Sequence, residues 1–268
     1  MLSLRSVFSL LSRSSQAATG NQSTLMSCIN PSTLSAPSAL IRLGTAYGGW
    51  IIPADAKLSQ DSVCYLAGAG EDISFDCELV RRFGCRMRIL DPTPRAVAHF
   101  EQLQLAVKEG RRFPINNSDT EFYEVGPTDL ERMTLIPVGL AEQDTELRFY
   151  LPRNPEHVSC STANLHNTEE YFTAQCHRLG TMMAQLGDAR VDLLKMDIEG
   201  AEYGVIRDLV RSRILPGLLL IEFDEAHSPK DAGAGGRIKE HVELLLRAGM
   251  RCIAVEGSNM TLERTGAG

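Results

Sequence analysis

The segment Val63-Cys64-Tyr65-Leu66-Ala67-Gly68-Ala69-Gly70-Glu71-Asp72-Ile73-Ser74-Phe75-Asp76-Cys77 decides the fold class. A short apolar run meets a glycine turn, after which Ile73, Cys77 and Val80 recur at helical spacing until Gly84 stops them. That is a strand running into a helix, the first half of a βαβ unit. The pattern then repeats. Met87 to Leu90 reads as a second strand ended by Asp91 and Pro92, and Thr93 can cap a helix that starts at Pro94 and presents Val97, Phe100, Leu103 and Val107 on one face. Further strands are expected at Met133–Val138, Val191–Met196 and Leu218–Phe223, the last nearly all apolar, as a strand covered on both faces should be. Helices bearing Ala201, Val205 and Leu209, then Ile238, Val242 and Leu245, follow the last two. Arg251–Glu256, a Gly257-Ser258-Asn259 turn and Met260–Arg264 close the chain as an antiparallel hairpin. The expected architecture is doubly wound α/β, with a mainly parallel seven-stranded sheet ending in that hairpin.

Two stretches fall outside this rhythm. Glu146–Leu151 reads as an extra extended segment, and 152–179, rich in Asn, Ser, Thr and His, as a long active-site insertion with one short strand. A short helix over Thr181–Leu186 follows it. At the other end, residues 1–54 contain no Asp or Glu, and Arg5, Arg13 and Arg42 are their only charged side chains. Leu4, Val7, Phe8 and Leu11 form an apolar helical stripe there, the pattern of an organelle transit peptide. We therefore expect a leader over 1–54, a domain over 55–268, and a mitochondrial or other organellar location; a disordered Ser-rich tail on a cytoplasmic protein is the alternative.

The 268 residues carry a net charge of -7 and are 43% hydrophobic, an ordinary acidic folded composition that disfavours a nucleic-acid partner. No run approaches the length of a membrane span. The seven cysteines are scattered without metal-ligand spacing, and Cys64 and Cys252 sit inside apolar runs, so they read as reduced thiols.

Open α/β sheets bind ligands beyond the carboxyl ends of their strands. Here those positions are acidic: Glu71 and Asp72 after the first strand, Asp91 after the second, Asp197 and Glu199 after the fourth, Asp224 and Glu225 after the fifth, with Glu222 at that strand's end. The dinucleotide fingerprint wants a glycine at position 73, and the chain has Ile73. Glu71 and Asp72 would also face a pyrophosphate with negative charge. A cofactor with an ammonium, a sulfonium and a ribose but no phosphate suits this edge, and S-adenosylmethionine is the common molecule of that description. Asp91 lies at the spacing and strand end of a ribose-binding acid, its alternative being a turn or cap residue. The cofactor-binding candidates are Gly68, Ala69, Gly70, Glu71, Asp72, Asp91, Leu140 and Asp197. Asp197, Glu222 and His227 are the candidate bases, His227 being equally readable as an idle loop histidine. Lys195 reads as an ion-pair partner and Glu202 as a solvated helix residue.

The runs Leu66–Asp76, Asp91-Pro92-Thr93-Pro94, Leu194-Lys195-Met196-Asp197-Ile198-Glu199-Gly200-Ala201-Glu202-Tyr203 and Ile221-Glu222-Phe223-Asp224 resemble the FkbM family of methyltransferases, most of all its methyltransferase-like 24 type. The resemblance spans Val63 to Leu262. It implies a class I methyltransferase fold, S-adenosylmethionine as donor, and O-methylation of a sugar or other small-molecule hydroxyl. Glu71-Asp72 departs from the family's more usual Asn-containing loop. Competing readings are a nicotinamide-dependent oxidoreductase, a catalytically silent module that binds the same cofactor, and a metal-assisted transferase with Asp197, Glu199 and Asp224 as oxygen ligands; no metal is assigned from sequence.

Overall fold

The computed structural model describes residues 25–26, 39–151 and 168–266. The apolar stripe at Leu4 to Leu11 and residues 152–167 of the insertion lie outside these. In chain order the elements are β1 (Leu40–Leu43), β2 (Trp50–Pro53), β3 (Val63–Ala67), α1 (Ser74–Phe83), β4 (Arg86–Leu90), α2 (Pro94–Lys108), α3 (Pro127–Leu130), β5 (Met133–Ile136) and β6 (Gly139–Leu140). They continue with β7 (Thr145–Tyr150), β8 (Tyr171–His177), α4 (Leu179–Leu186), β9 (Leu193–Met196), α5 (Glu202–Ser212), β10 (Leu218–Glu222), α6 (Ala234–Arg247), β11 (Met250–Glu256) and β12 (Asn259–Arg264).

Seven strands form one sheet in the order β11-β12-β10-β9-β3-β4-β5. β3, β4, β5, β9 and β10 run parallel, and β12 pairs antiparallel with both β10 and β11. This is the expected architecture, hairpin included. The chain leaves β3 toward β5 on one side and later returns to β9 on the other, so the order reverses between β3 and β9. A crevice opens at such a reversal because the crossovers leave it on opposite faces.

Every residue of β3 is buried, and their side chains alternate between the two faces. Tyr65 and Ala67 join Val205, Leu209, Ile238 and Val242 in one apolar layer, while Cys64 and Leu66 join Phe75, Leu79, Phe100 and Leu103 in the other. Helix α1 ends where Gly84 takes a left-handed conformation at φ 64°. Thr93 caps α2, accepting from the Ala96 N–H, with Pro94 at the first position as the sequence suggested. Tyr65 donates to Asp188, which Arg88 also contacts at 3.0 Å, so the buried polar end of Tyr65 is compensated.

Three expectations are revised. The strand foreseen over Met133–Val138 ends at Ile136, and Gly139–Leu140 instead starts a separate three-stranded sheet, β6-β8-β7. The extra segment and the insertion's strand pair antiparallel there from Thr145↔Cys176 to Tyr150↔Tyr171. The leader boundary at 54/55 also moves. β1 and β2 form a hairpin whose Leu43, Trp50 and Ile52 are 1%, 3% and 0% exposed and pack into the layer around Phe75. The Thr261 hydroxyl donates to the Ile51 carbonyl at 2.7 Å, so residues 40–53 are part of the domain. Lastly, Glu202 is fully buried rather than solvated. Among the described residues no helix is long and apolar enough to cross a membrane.

Candidate active site

A cavity of about 590 Å³ opens at the β3/β9 reversal. All ten residues nominated from sequence line it: Gly68, Ala69, Gly70, Glu71, Asp72, Asp91, Leu140, Asp197, Glu222 and His227.

The glycine turn is held by Asp91. Its Oδ2 accepts from the Ala69 and Gly70 N–H groups at 2.8 and 3.1 Å, and its Oδ1 from the backbone and hydroxyl of Thr93 at 2.8 and 2.6 Å. A carboxylate offers about four lone-pair sites, and these four bonds use them. Asp91 thus shapes the turn, the turn role that its position before Pro92 also offered. Gly68 sits at φ 81°, and a Cβ there would lie 1.7 Å from the Asp197 carbonyl oxygen. Only glycine lets the first turn press against the end of β9.

The two acids after the turn have separate partners. Glu71 forms a bidentate pair with Arg95, at 2.9 and 2.7 Å, so its charge is shared with the start of α2. Asp72 is buried, accepting from the Ser74 N–H at 2.9 Å, the Thr45 hydroxyl at 2.8 Å and the Asn116 amide at 2.7 Å. It pins the loop that carries Tyr47 over the cavity. A Cβ on Gly48 would meet the Asp72 carboxyl at 2.4 Å, so that loop reaches its place only with glycine.

Opposite the turn lies the acidic wall. After β9 the backbone turns left-handed twice, at Glu199 (φ 45°) and Gly200 (φ 91°). That is a strained conformation for glutamate, the kind that persists where the surroundings enforce it. Burial and the neighbouring Glu222 carboxylate hold Asp197 well above the usual carboxylate range. Asp224, in the turn after β10, is 4% exposed and is pushed up to about 9 by burial and by Glu199, Glu202 and Asp197. Among the described residues its Oδ2 has no hydrogen-bond partner. Glu222 accepts from the Ser258 hydroxyl at 2.8 Å, and His227 Nδ1 stands 3.8 Å from the same oxygen.

Lys195 is 3% exposed and lines the cavity floor, yet its charge is directed backward: Nζ is 3.6 Å from the fully buried Asp76 and 5.7 Å from the ring centres of Trp50 and Phe75. The ion-pair reading of Lys195 is borne out. Sequence reasoning missed Arg42, Tyr47 and Trp50 from the hairpin, Phe149 from β7, and Glu256 to Asn259 from the terminal turn, all of which line the cavity. A signal existed for the hairpin, because Trp50 is the chain's one tryptophan and follows Gly48-Gly49.

Two features test whether a phosphate-free, cationic nucleoside fits. The wall carries carboxylates while Lys195, its one buried cation among the described residues, is paired with Asp76; and the turn that would meet a phosphate has its Ala69 and Gly70 N–H groups already occupied by Asp91. Both favour such a guest and oppose a pyrophosphate.

Comparison with known proteins agrees. The family model described as the Methyltransferase FkbM domain matches residues 70–252. No curated protein matches the chain. Similar solved structures include the pre-rRNA processing protein fibrillarin of Methanococcus jannaschii, 13% identical over 78% of this chain and 68% of that one, with a TM-score of 0.40. Precorrin-6y C5,15-methyltransferase of Geobacter metallireducens GS-15 is 14% identical over 79% and 84%, at 0.38. Aeropyrum pernix fibrillarin with natively bound S-adenosyl-L-methionine is 11% identical over 78% and 67%, at 0.37.

Proposed function

We propose a function from one premise: this chain belongs to the FkbM methyltransferase family and is an S-adenosylmethionine-dependent methyltransferase. Our reading is that it methylates a hydroxyl oxygen of a small molecule, a sugar or similar polyol. The observation that carries it is the Asp197 and Glu222 carboxyls side by side on the cavity wall, with Asp197 held above its usual range and His227 beside Glu222. An alcohol attacks well only as its proton leaves, so a hydroxyl acceptor needs a group able to take that proton near neutral pH. A carboxyl held above its usual range by burial and a like neighbour is such a group.

S-adenosylmethionine, when bound, supplies an activated methyl group open to in-line attack. The residues of the chain do the rest. Gly68 to Gly70, held in shape by Asp91, give the close backbone approach that the nucleoside needs, and Leu90 and Leu140 offer it apolar contact. Asp197 or Glu222 receives the acceptor's proton. Trp50, Tyr47 and Phe149 line the same cavity, aromatic surface of the sort that stacks on the apolar face of a sugar ring and limits water. A silent module that binds the cofactor without turnover is the second reading.

The test is transfer of isotopically labelled methyl to a panel of sugars, polyols, amines and thiols, with product bonds assigned by mass spectrometry. We expect methyl ethers, and an Asp197→Asn variant that keeps S-adenosylhomocysteine affinity within about threefold while kcat falls roughly 100-fold or more. N- or S-methyl products alone would refute the hydroxyl reading. Tight cofactor binding with no product from any acceptor would favour the silent module.

A further inference from the structure

We propose that Asp197, Glu199 and Asp224 form a binding site for a hard divalent cation on the wall of this cavity. Each offers a carboxylate oxygen, and the three oxygens lie within 4.8 Å of one another. Two oxygens on one cation at about 2.1–2.6 Å can stand no more than roughly 4.2–5.2 Å apart, so one ion of the Mg²⁺, Mn²⁺ or Ca²⁺ class spans the set.

An acidic cluster alone argues little; the state of Asp224 adds the second observation. Asp224 is 4% exposed, it lines the cavity, and Oδ2 has no donor within hydrogen-bonding reach among the described residues. Buried carboxylate oxygens are normally paired or coordinated. Lys195, the buried cation at this sheet edge, is turned to Asp76. The methyl donor's sulfonium does not fill the need either, because it has no hydrogen to donate. A cation does, and oxygen-only ligation suits one that also holds waters or an acceptor oxygen. Such an ion would lower the pKa of the acceptor hydroxyl, assisting the same proton removal that Asp197 serves.

A second set shares Asp224 with Glu222 and His227. It is the weaker choice: Glu222 already accepts from Ser258, and His227 is 43% exposed.

The test uses the full chain, stripped with a chelator and titrated with Mn²⁺ alone, free ion being read by electron paramagnetic resonance; S-adenosylhomocysteine binding is measured in parallel by calorimetry. We expect one Mn²⁺ per chain, displaced by excess Mg²⁺ or Ca²⁺. Asp224→Asn and Glu199→Gln, each checked for a cooperative melt, should weaken it by at least the ~10–100-fold that losing an outer-sphere partner already costs. His227→Ala should bind as the wild type does. A wild type that binds S-adenosylhomocysteine but not Mn²⁺ overturns the site and leaves the methyltransferase reading standing. Loss of the ion in His227→Ala with retention in Glu199→Gln overturns the assignment of ligands. Mn²⁺ binding without S-adenosylhomocysteine binding upholds the site and counts against the catalytic reading.

Discussion

Glu202 gives the sharpest test of the electrostatics, because replacing it with glutamine changes charge and little else. It begins α5, is fully buried, and neither carboxylate oxygen has a hydrogen-bond partner among the described residues. Burial raises its pKa from 4.5 to about 7, and the backbone dipole at the start of α5 and the Lys230 charge pull the other way without prevailing. The folded value lies above the unfolded one, so protonation favours the fold. That contribution is complete below about pH 4.5 and disappears as pH rises through 7. At ~1.36 kcal/mol per unit, ionising Glu202 inside the fold costs about 3 kcal/mol relative to the unfolded chain. Glu202→Gln cannot ionise. Urea unfolding followed by circular dichroism should therefore find the variant within ~1 kcal/mol of the wild type at pH 5 and more stable by ~2–3 kcal/mol at pH 8. Asp224, which Glu202 helps to hold protonated, relaxes in the same direction when that charge is removed. A difference that stays flat from pH 5 to 8, or a wild type that is the more stable at pH 8, would refute the reasoning.

Two further substitutions address how the cavity is built. Gly68→Ala puts a Cβ against the Asp197 carbonyl at φ 81°, so a Tm lowered by more than about 5 °C and S-adenosylhomocysteine affinity lowered roughly tenfold or more are expected; an unchanged calorimetric titration would show that the turn does not press on β9. Trp50→Ala removes a side chain that is 3% exposed and should cost ~3–5 kcal/mol in urea unfolding. A loss under about 1 kcal/mol would mean that the β1–β2 hairpin is not docked, and would return residues 40–53 to the leader.

The parallel strands were legible because burial on both faces leaves a chemical mark: β3 and β10 are short apolar runs, each followed by turn or acidic residues. The acidic edge was legible for a related reason, since a position just past a strand can be read without knowing any contact. What failed was everything decided by a distant partner. Arg42, Ile41 and Trp50 carry no period that distinguishes a docked hairpin from a leader, and the hydrogen bond from Thr261 to Ile51 spans 210 residues. For Asp91, spacing gave the location of the carboxylate at its strand end but not how many N–H groups surround it. Glu202 reads as exposed by residue type, as glutamate usually is. Its burial follows from the double left-handed turn at Glu199 and Gly200, which the sequence shows only as one glycine.

That double turn connects fold to chemistry. A strand that ended in an ordinary helix cap would carry its acids outward, where water would hold their pKa values in the normal range. Here the chain folds back over the end of β9, bringing the half-buried Asp197 and Glu199 within 4.8 Å of the buried Asp224 in the next strand's turn. Carboxylates this close together, one of them buried, are unfavourable as full charges, so they hold protons, bind cations, or both. Under the proposed transfer to a hydroxyl each outcome has a use: a carboxyl held above its usual range takes a proton more readily, and a bound cation makes the hydroxyl more acidic. The strain at Glu199 is then the structural cost of concentrating negative charge where a positively charged methyl donor and a reluctant nucleophile must meet.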